Sequence, residues 1–165
     1  MDKGIGGWVA RRAFLSGDRI ALVDGERRLT YADLDRRTNQ LAGALRTLGV
    51  RQGDRVAGLL LNSAAFLETM LATAKLGAVF VPMNVRLAPA EVSYLLADSG
   101  SDAFVYSAPL ASVARAALTG DGVRVRSRLV VGGQAEEGES GYEQVLSSGE
   151  ARPVDTDVTG AICPA

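Results

Sequence analysis

KLGAVFVPMNVRL, residues 75–87, passes from a helix through a strand into a loop in thirteen positions. Leu76 closes an apolar-periodic run, and Gly77 follows it. Glycine has no Cβ and so supplies the left-handed backbone that ends a helix. Ala78–Val81 is apolar at every position, as in a strand covered on both faces. Pro82 stops it, because proline donates no ladder hydrogen bond. Asn84–Leu87 is a loop, and Pro89 suits the first turn of a helix over about 89–98. Helix, buried strand and helix in succession predict a parallel sheet with crossover helices.

The same alternation extends in both directions. Upstream, Arg55–Leu61 is a nearly continuous apolar strand, and Asn62-Ser63 can cap a helix over about 64–76. Ile20–Asp24 and Arg27–Thr30 read as a hairpin around Gly25-Glu26. Thr30 with Asp33 forms a capping-box pattern. Leu34, Leu41, Leu45 and Leu48 then share one helical face, which Gly49 ends. Gly53-Asp54 is a turn. Downstream, Ser101–Tyr106 is a strand, Pro109–Leu118 a helix and Leu129–Val131 a short strand. Gly132–Glu139 reads as a surface loop. Ser140 with Glu143 repeats the capping pattern before a helix to about Ser147, and Val158–Cys163 is a final strand. The expected class is α/β, a mainly parallel sheet flanked by helices.

A chain of 165 residues is one domain or part of a larger one. Its 18 basic and 19 acidic residues nearly cancel, which gives no reason to expect nucleic acid or an anionic membrane as partner. The single cysteine, Cys163, cannot form an internal disulfide and fits a reducing cytoplasm. The N-terminus has no apolar signal region, and no apolar run approaches ~18 residues, so no membrane-spanning helix is expected. There is no histidine. Ser-His-Asp, Cys-His and histidine-based zinc chemistry within this chain are therefore excluded.

The remaining motifs read more simply as structure than as sites. Gly4, Gly6 and Gly7 lack the strand that a dinucleotide fingerprint needs, and suit a flexible terminus. Gly132-Gly133 follows a strand, but the acids after it would repel a phosphate. No GxxxxGK[ST] loop occurs. Arg124, Arg126 and Arg128 alternate as on one solvated strand face, although they could form an anion stripe. Glu136, Glu137 and Glu139 could ligate a hard cation, but acids in a Gly-rich loop are usually solvated. Asp155 and Asp157 suit a turn better than a catalytic pair. Cys163 suits a core thiol.

In order, LTYADLDRRTNQLAGALRTLGVRQGDRVAGLLLNS (29–63), AKLGAVFVPMNVRL (74–87) and APAEVSYLLADSGSDAFVY (88–106) resemble the opening of the AMP-forming acyl-CoA synthetases, adenylate-forming enzymes. The wording is most similar to the branch that activates fatty and related organic acids. The resemblance implies a two-step reaction. A carboxylate attacks the α-phosphate of ATP, and a thiol, usually CoA, then displaces AMP. It implies ATP, Mg²⁺ and CoA as the complete family's cofactors, because charge on the triphosphate needs cationic and amide donors.

The family continues from an Asp-Asp turn through an apolar strand into Tyr-Thr-Ser-Gly-Thr-Thr-Gly. Here Asp155-Thr156-Asp157 leads into VTGAIC and then Pro164-Ala165. The expectation is an N-terminal portion, residues 1–165, cut before the phosphate-binding loop and inactive alone, with no catalytic or metal residue of its own. Tyr31, Asp33, Leu34, Gly77 and Pro82 match scaffold positions. Arg86, in the N-x-R-L stretch, matches an arginine that some members place near the CoA phosphates, and arginine grips phosphate bidentately. Two other readings stand beside this one: half of a split ligase completed by a second chain, and a non-catalytic module binding an acyl chain or a protein. An incomplete fold would also expose an edge or apolar face.

Overall fold

The computed structural model describes residues 4–153. Helix α1 (Gly4–Ser16) precedes a hairpin, β1 (Ile20–Asp24) and β2 (Arg27–Thr30), and helix α2 (Tyr31–Thr47). Then β3 (Arg55–Leu59), α3 (Ala64–Lys75), β4 (Val79–Pro82), α4 (Pro89–Ser99) and β5 (Ala103–Ser107) alternate. A short 3₁₀ turn leads to α5 (Ala111–Ala117), β6 (Ser127–Val131), the two-residue β7 (Ser140–Gly141) and α6 (Tyr142–Ser148). The expected strand over 158–163, with Asp155, Asp157 and Cys163, lies outside the described residues.

The main sheet has five strands in the order β4-β3-β5-β6-β7, every pair parallel. The mainly parallel α/β expectation holds. Alternation along the strands divides the core between the two faces. Val56, Val105 and Leu129 face α2, α3 and α6. Leu59, Phe104, Tyr106 and Val130 face α4 and α5. Outside α2 and α3 lies α1, with Val9 against Leu34 and Leu71.

The 75–87 stretch folds as its residues dictate. Gly77 takes φ +66°, and β4 pairs with β3 from Val79 to Pro82. Val79 N donates to Asp54 O and Met83 N to Gly58 O. Phe80 and Pro82 therefore face the outer edge, where proline's missing N–H blunts further pairing. The capping box of α2 is complete: Asp33 N donates to Thr30 Oγ1 at 3.1 Å, and Thr30 N to Asp33 Oδ2 at 3.2 Å. Arg36 and Thr30 together hold the Asp33 carboxyl below its ordinary pKa.

Several local expectations are corrected. The N-terminal glycines belong to α1. Gly6 is buried, and a Cβ there would come within 2.8 Å of Lys75 N, so its bareness lets α1 lie on α3. Ser63 makes no side-chain cap. Ser140 is in β7, α6 starts at Tyr142, and Glu143 pairs with Arg37 and makes no cap. The arginine stripe is not one strand face. β6 begins at Ser127, and Arg126 pairs with Asp102 at 2.6 Å. Leu48 sits beyond α2 and is exposed.

Candidate functional site at the carboxyl edge of the sheet

The strand order is that of a doubly wound fold whose first strand, β3, lies between β4 and β5. In such sheets, ligands bind beyond the carboxyl ends of the strands where the winding reverses. Here that point holds Leu61–Ser63, Ser107 and the tip of the hairpin. Leu61 N donates to Ser107 Oγ at 3.0 Å. Ala64 N, at the start of α3, donates to Asp24 Oδ2 at 2.8 Å. Partial positive charge at a helix N-terminus attracts an anion. The protein's own Asp24 fills that place. A cleft of about 300 Å³ remains between Asp24, Asn62, Ser63 and Phe66.

Arg86 lies at the same edge, in the turn after β4. Its N–H donates to Asn84 Oδ1 at 3.0 Å, which gives the N-x-R spacing a physical basis: the asparagine fixes the turn that carries the arginine. Arg86 is exposed, and no carboxylate pairs with its guanidinium among the described residues. Beside it, Leu87, Ala90, Glu91, Tyr94 and Leu95 line a shallow apolar groove along α4. Glu91 is occupied in accepting Ala88 N at 2.7 Å.

Further along the edge, Arg115 of α5 clamps the 132–139 loop. Its Nε and Nη2 donate to Glu139 at 2.8 and 2.9 Å, and Nη1 pairs with Glu136. Tyr106 OH also donates to Glu139. Glu139 is thus not a solvated acid; its side chain is 4% exposed. Arg115 draws its carboxyl down to about 2. Burial, reinforced by Glu139, pushes the Tyr106 phenol up to about 12. Among the described residues, no group of acids or cysteine is placed to hold a metal.

Two further charged clusters lie between the helices. Glu68 of α3 is fully buried and accepts Arg37 Nε at 2.6 Å, Arg37 Nη2 at 3.0 Å and Tyr142 OH at 2.9 Å. Arg37 also donates to Glu143 at 2.8 and 3.1 Å. Burial opposes the charge of Arg37, but its two carboxylates outweigh burial and hold it protonated. Burial beside Glu68 pushes the Tyr142 phenol well up. Lys75 Nζ donates to Asp35 and Asn39, each at 2.6 Å. Burial lowers its pKa against the pull of Asp35. A depressed lysine can mark a catalytic site. This one is at the far end of α3, near the amino edge of the sheet, and ties α2 to α3.

The sequence profile of the AMP-binding enzymes matches residues 9–162. The chain belongs to the AMP-binding enzyme family. It is 44% identical over 124 residues to a feruloyl-CoA synthase of an Amycolatopsis species, covering 75% of this chain and 25% of that protein. It is 45% identical over 113 residues to the long-chain-fatty-acid–CoA ligase FadD13 of Mycobacterium tuberculosis, covering 67% and 22%. The inhibitor-bound N-terminal domain of FACL13 from Mycobacterium tuberculosis superposes with a TM-score of 0.82 at 35% identity, over 93% of this chain and 37% of that one. The chain thus spans about a quarter of the length of these curated acyl-CoA ligase relatives.

The sequence named Arg86 but missed Asp24 and the Arg115–Glu139 clamp. Asp24 caps a helix 40 residues away, and no local pattern links Arg115 to a loop 24 residues on.

Proposed function

We propose that residues 1–165 are the N-terminal portion of an ATP-dependent acyl-CoA ligase, ending before the phosphate-binding loop. The whole enzyme would couple a carboxylic acid to CoA through an acyl-adenylate. The observation that carries this reading is the family match across residues 9–162 in a chain spanning about a quarter of its ligase relatives. The relatives' printed names, feruloyl-CoA synthase and long-chain-fatty-acid–CoA ligase, support an aromatic or fatty carboxylic acid as substrate class.

The described residues fit the family's ligands unequally. The triphosphate and its Mg²⁺ find no cradle among them: Asp24 occupies the N-terminus of α3 at the switch point, and no three acids or cysteines converge. CoA fits better. Arg86 is exposed, has no carboxylate partner among the described residues and is fixed by Asn84, so it can grip one nucleotide phosphate bidentately. In the whole ligase, ATP and Mg²⁺ supply the activated phosphoryl group. This segment's share is to orient CoA through Arg86. Alone, it should form no adenylate. The lone cysteine supports a cytoplasmic setting, and among the described residues no helix is long and apolar enough to cross a membrane.

Reading the coding DNA past codon 165 in all three frames tests the assignment. A Ser-Gly-Thr-Thr-Gly…Pro-Lys-Gly stretch immediately downstream supports it. The same stretch behind a new start codon makes the ligase a two-chain enzyme. Its absence overturns the assignment in favour of a stand-alone binding module.

A further inference from the structure

We propose that the outward face of α1 is a docking surface for an anionic phospholipid bilayer. A helix on a protein surface normally turns its polar side to water. Helix α1 does not. Val9 and Gly6 face inward. At 100° per residue, the opposite direction falls near Arg11, with Trp8 and Leu15 to one side and Phe14 to the other. Trp8 is 65% exposed, Phe14 89% and Leu15 61%. Among the described residues, no other patch brings an exposed tryptophan and phenylalanine together.

Charge selects the occupant. Residues 4–16 contain Arg11 and Arg12 and no acid. Both arginines are exposed, and no carboxylate pairs with either among the described residues. Arg12 lies 5.3 Å from the Tyr31 ring centroid, which steadies its stem without neutralising it. The face carries two cations and no acid of its own, so an anionic surface complements it. At a bilayer surface, Trp, Phe and Leu enter the headgroup boundary while the guanidinium groups meet phosphates. The near-neutral whole-chain charge hides this local arrangement.

Trp8 is the only tryptophan in the chain, so its fluorescence reports this face alone. The full chain is mixed with vesicles of equal phosphatidylglycerol and phosphatidylcholine, and with pure phosphatidylcholine vesicles. The expected result is a blue shift of Trp8 emission and co-sedimentation with the anionic vesicles only. The double variant Arg11→Gln/Arg12→Gln should keep its thermal melt and bind about 25-fold more weakly, at roughly fivefold per surface arginine. Unchanged emission with anionic vesicles overturns the proposal. So does equal binding to neutral vesicles that the double variant leaves intact. Trp8 emission already blue without lipid, and reddening on dilution, would assign the face to a second copy of the chain.

Discussion

Glu68→Ala is the sharpest perturbation of this fold. Glu68 is fully buried in α3 and receives two bonds from Arg37 and one from Tyr142, so it joins α2, α3 and α6. Removing it leaves a buried guanidinium and a buried phenol without their acceptor. Breaking one side of a buried pair costs about 3–5 kcal/mol. The lower end applies here, about 3 kcal/mol, because Glu143 keeps its hold on Arg37 and its own side chain is 62% exposed to solvent. For a chain of this size that is a fall in Tm of roughly 6–12 °C. Replacing both partners, as Arg37→Met/Glu68→Leu, removes the stranded charge. The double variant should therefore lose less than the Glu68→Ala single variant. Thermal and urea unfolding of wild type, Glu68→Ala and the double variant read this directly. A Glu68→Ala loss below about 1 kcal/mol would refute the reasoning, as would a double-variant loss as large as that of Glu68→Ala.

Other predictions follow from single contacts. Arg115 lowers Glu139 from its ordinary 4.5 to about 2. A depressed carboxylate stabilises the fold above its unfolded value and loses that contribution as pH falls toward the folded value. Stability should drop between about pH 4.5 and 2, and Glu139→Gln should flatten that part of the acid-unfolding curve; parallel curves would count against the clamp. Asp24→Ala removes the cap of α3 and should cost about 1 kcal/mol in urea unfolding, while Asp24→Asn, which keeps an acceptor oxygen, should cost less; equal losses would mean the cap is not the reason. In the complete ligase carrying this segment, Arg86→Gln should raise KM for CoA about 10-fold or more, the loss of one charge-assisted phosphate contact, and leave ATP–pyrophosphate exchange unchanged. An unchanged KM for CoA would remove Arg86 from the CoA site.

The sequence carried the fold wherever a structural cause lies within a few residues. Thr30 and Asp33 are three apart and cap each other. Gly77 and Pro82 end a helix and a strand by their own backbone chemistry. It failed where the cause is distant. Ser63 had the composition of a cap, but Asp24 makes the bond from across the hairpin. Glu143 had capping spacing, but Arg37 claims its carboxylate from 106 residues away. Glu139 sat in a loop of acids and turned out to be held by Arg115 and Tyr106. Helix α1 was hidden because glycines are poor helix formers, and only the closeness of Lys75 N shows why Gly6 is there. Of the candidate site, Arg86 was legible as a residue. The lack of a carboxylate beside it among the described residues was not, since that depends on what the fold leaves near it.

We propose that this chain is ligase scaffold without the means to activate an acid. Acid-dependent ATP–pyrophosphate exchange by the purified 165-residue chain tests it most directly, with ferulate and a long-chain fatty acid as substrates. Only ATP binding and adenylate formation are needed for the exchange, so a missing CoA step cannot mask activity. The account predicts no exchange above the acid-free background for either acid. Exchange that requires the acid and survives further purification would contradict it, and would place a working phosphate site within these residues.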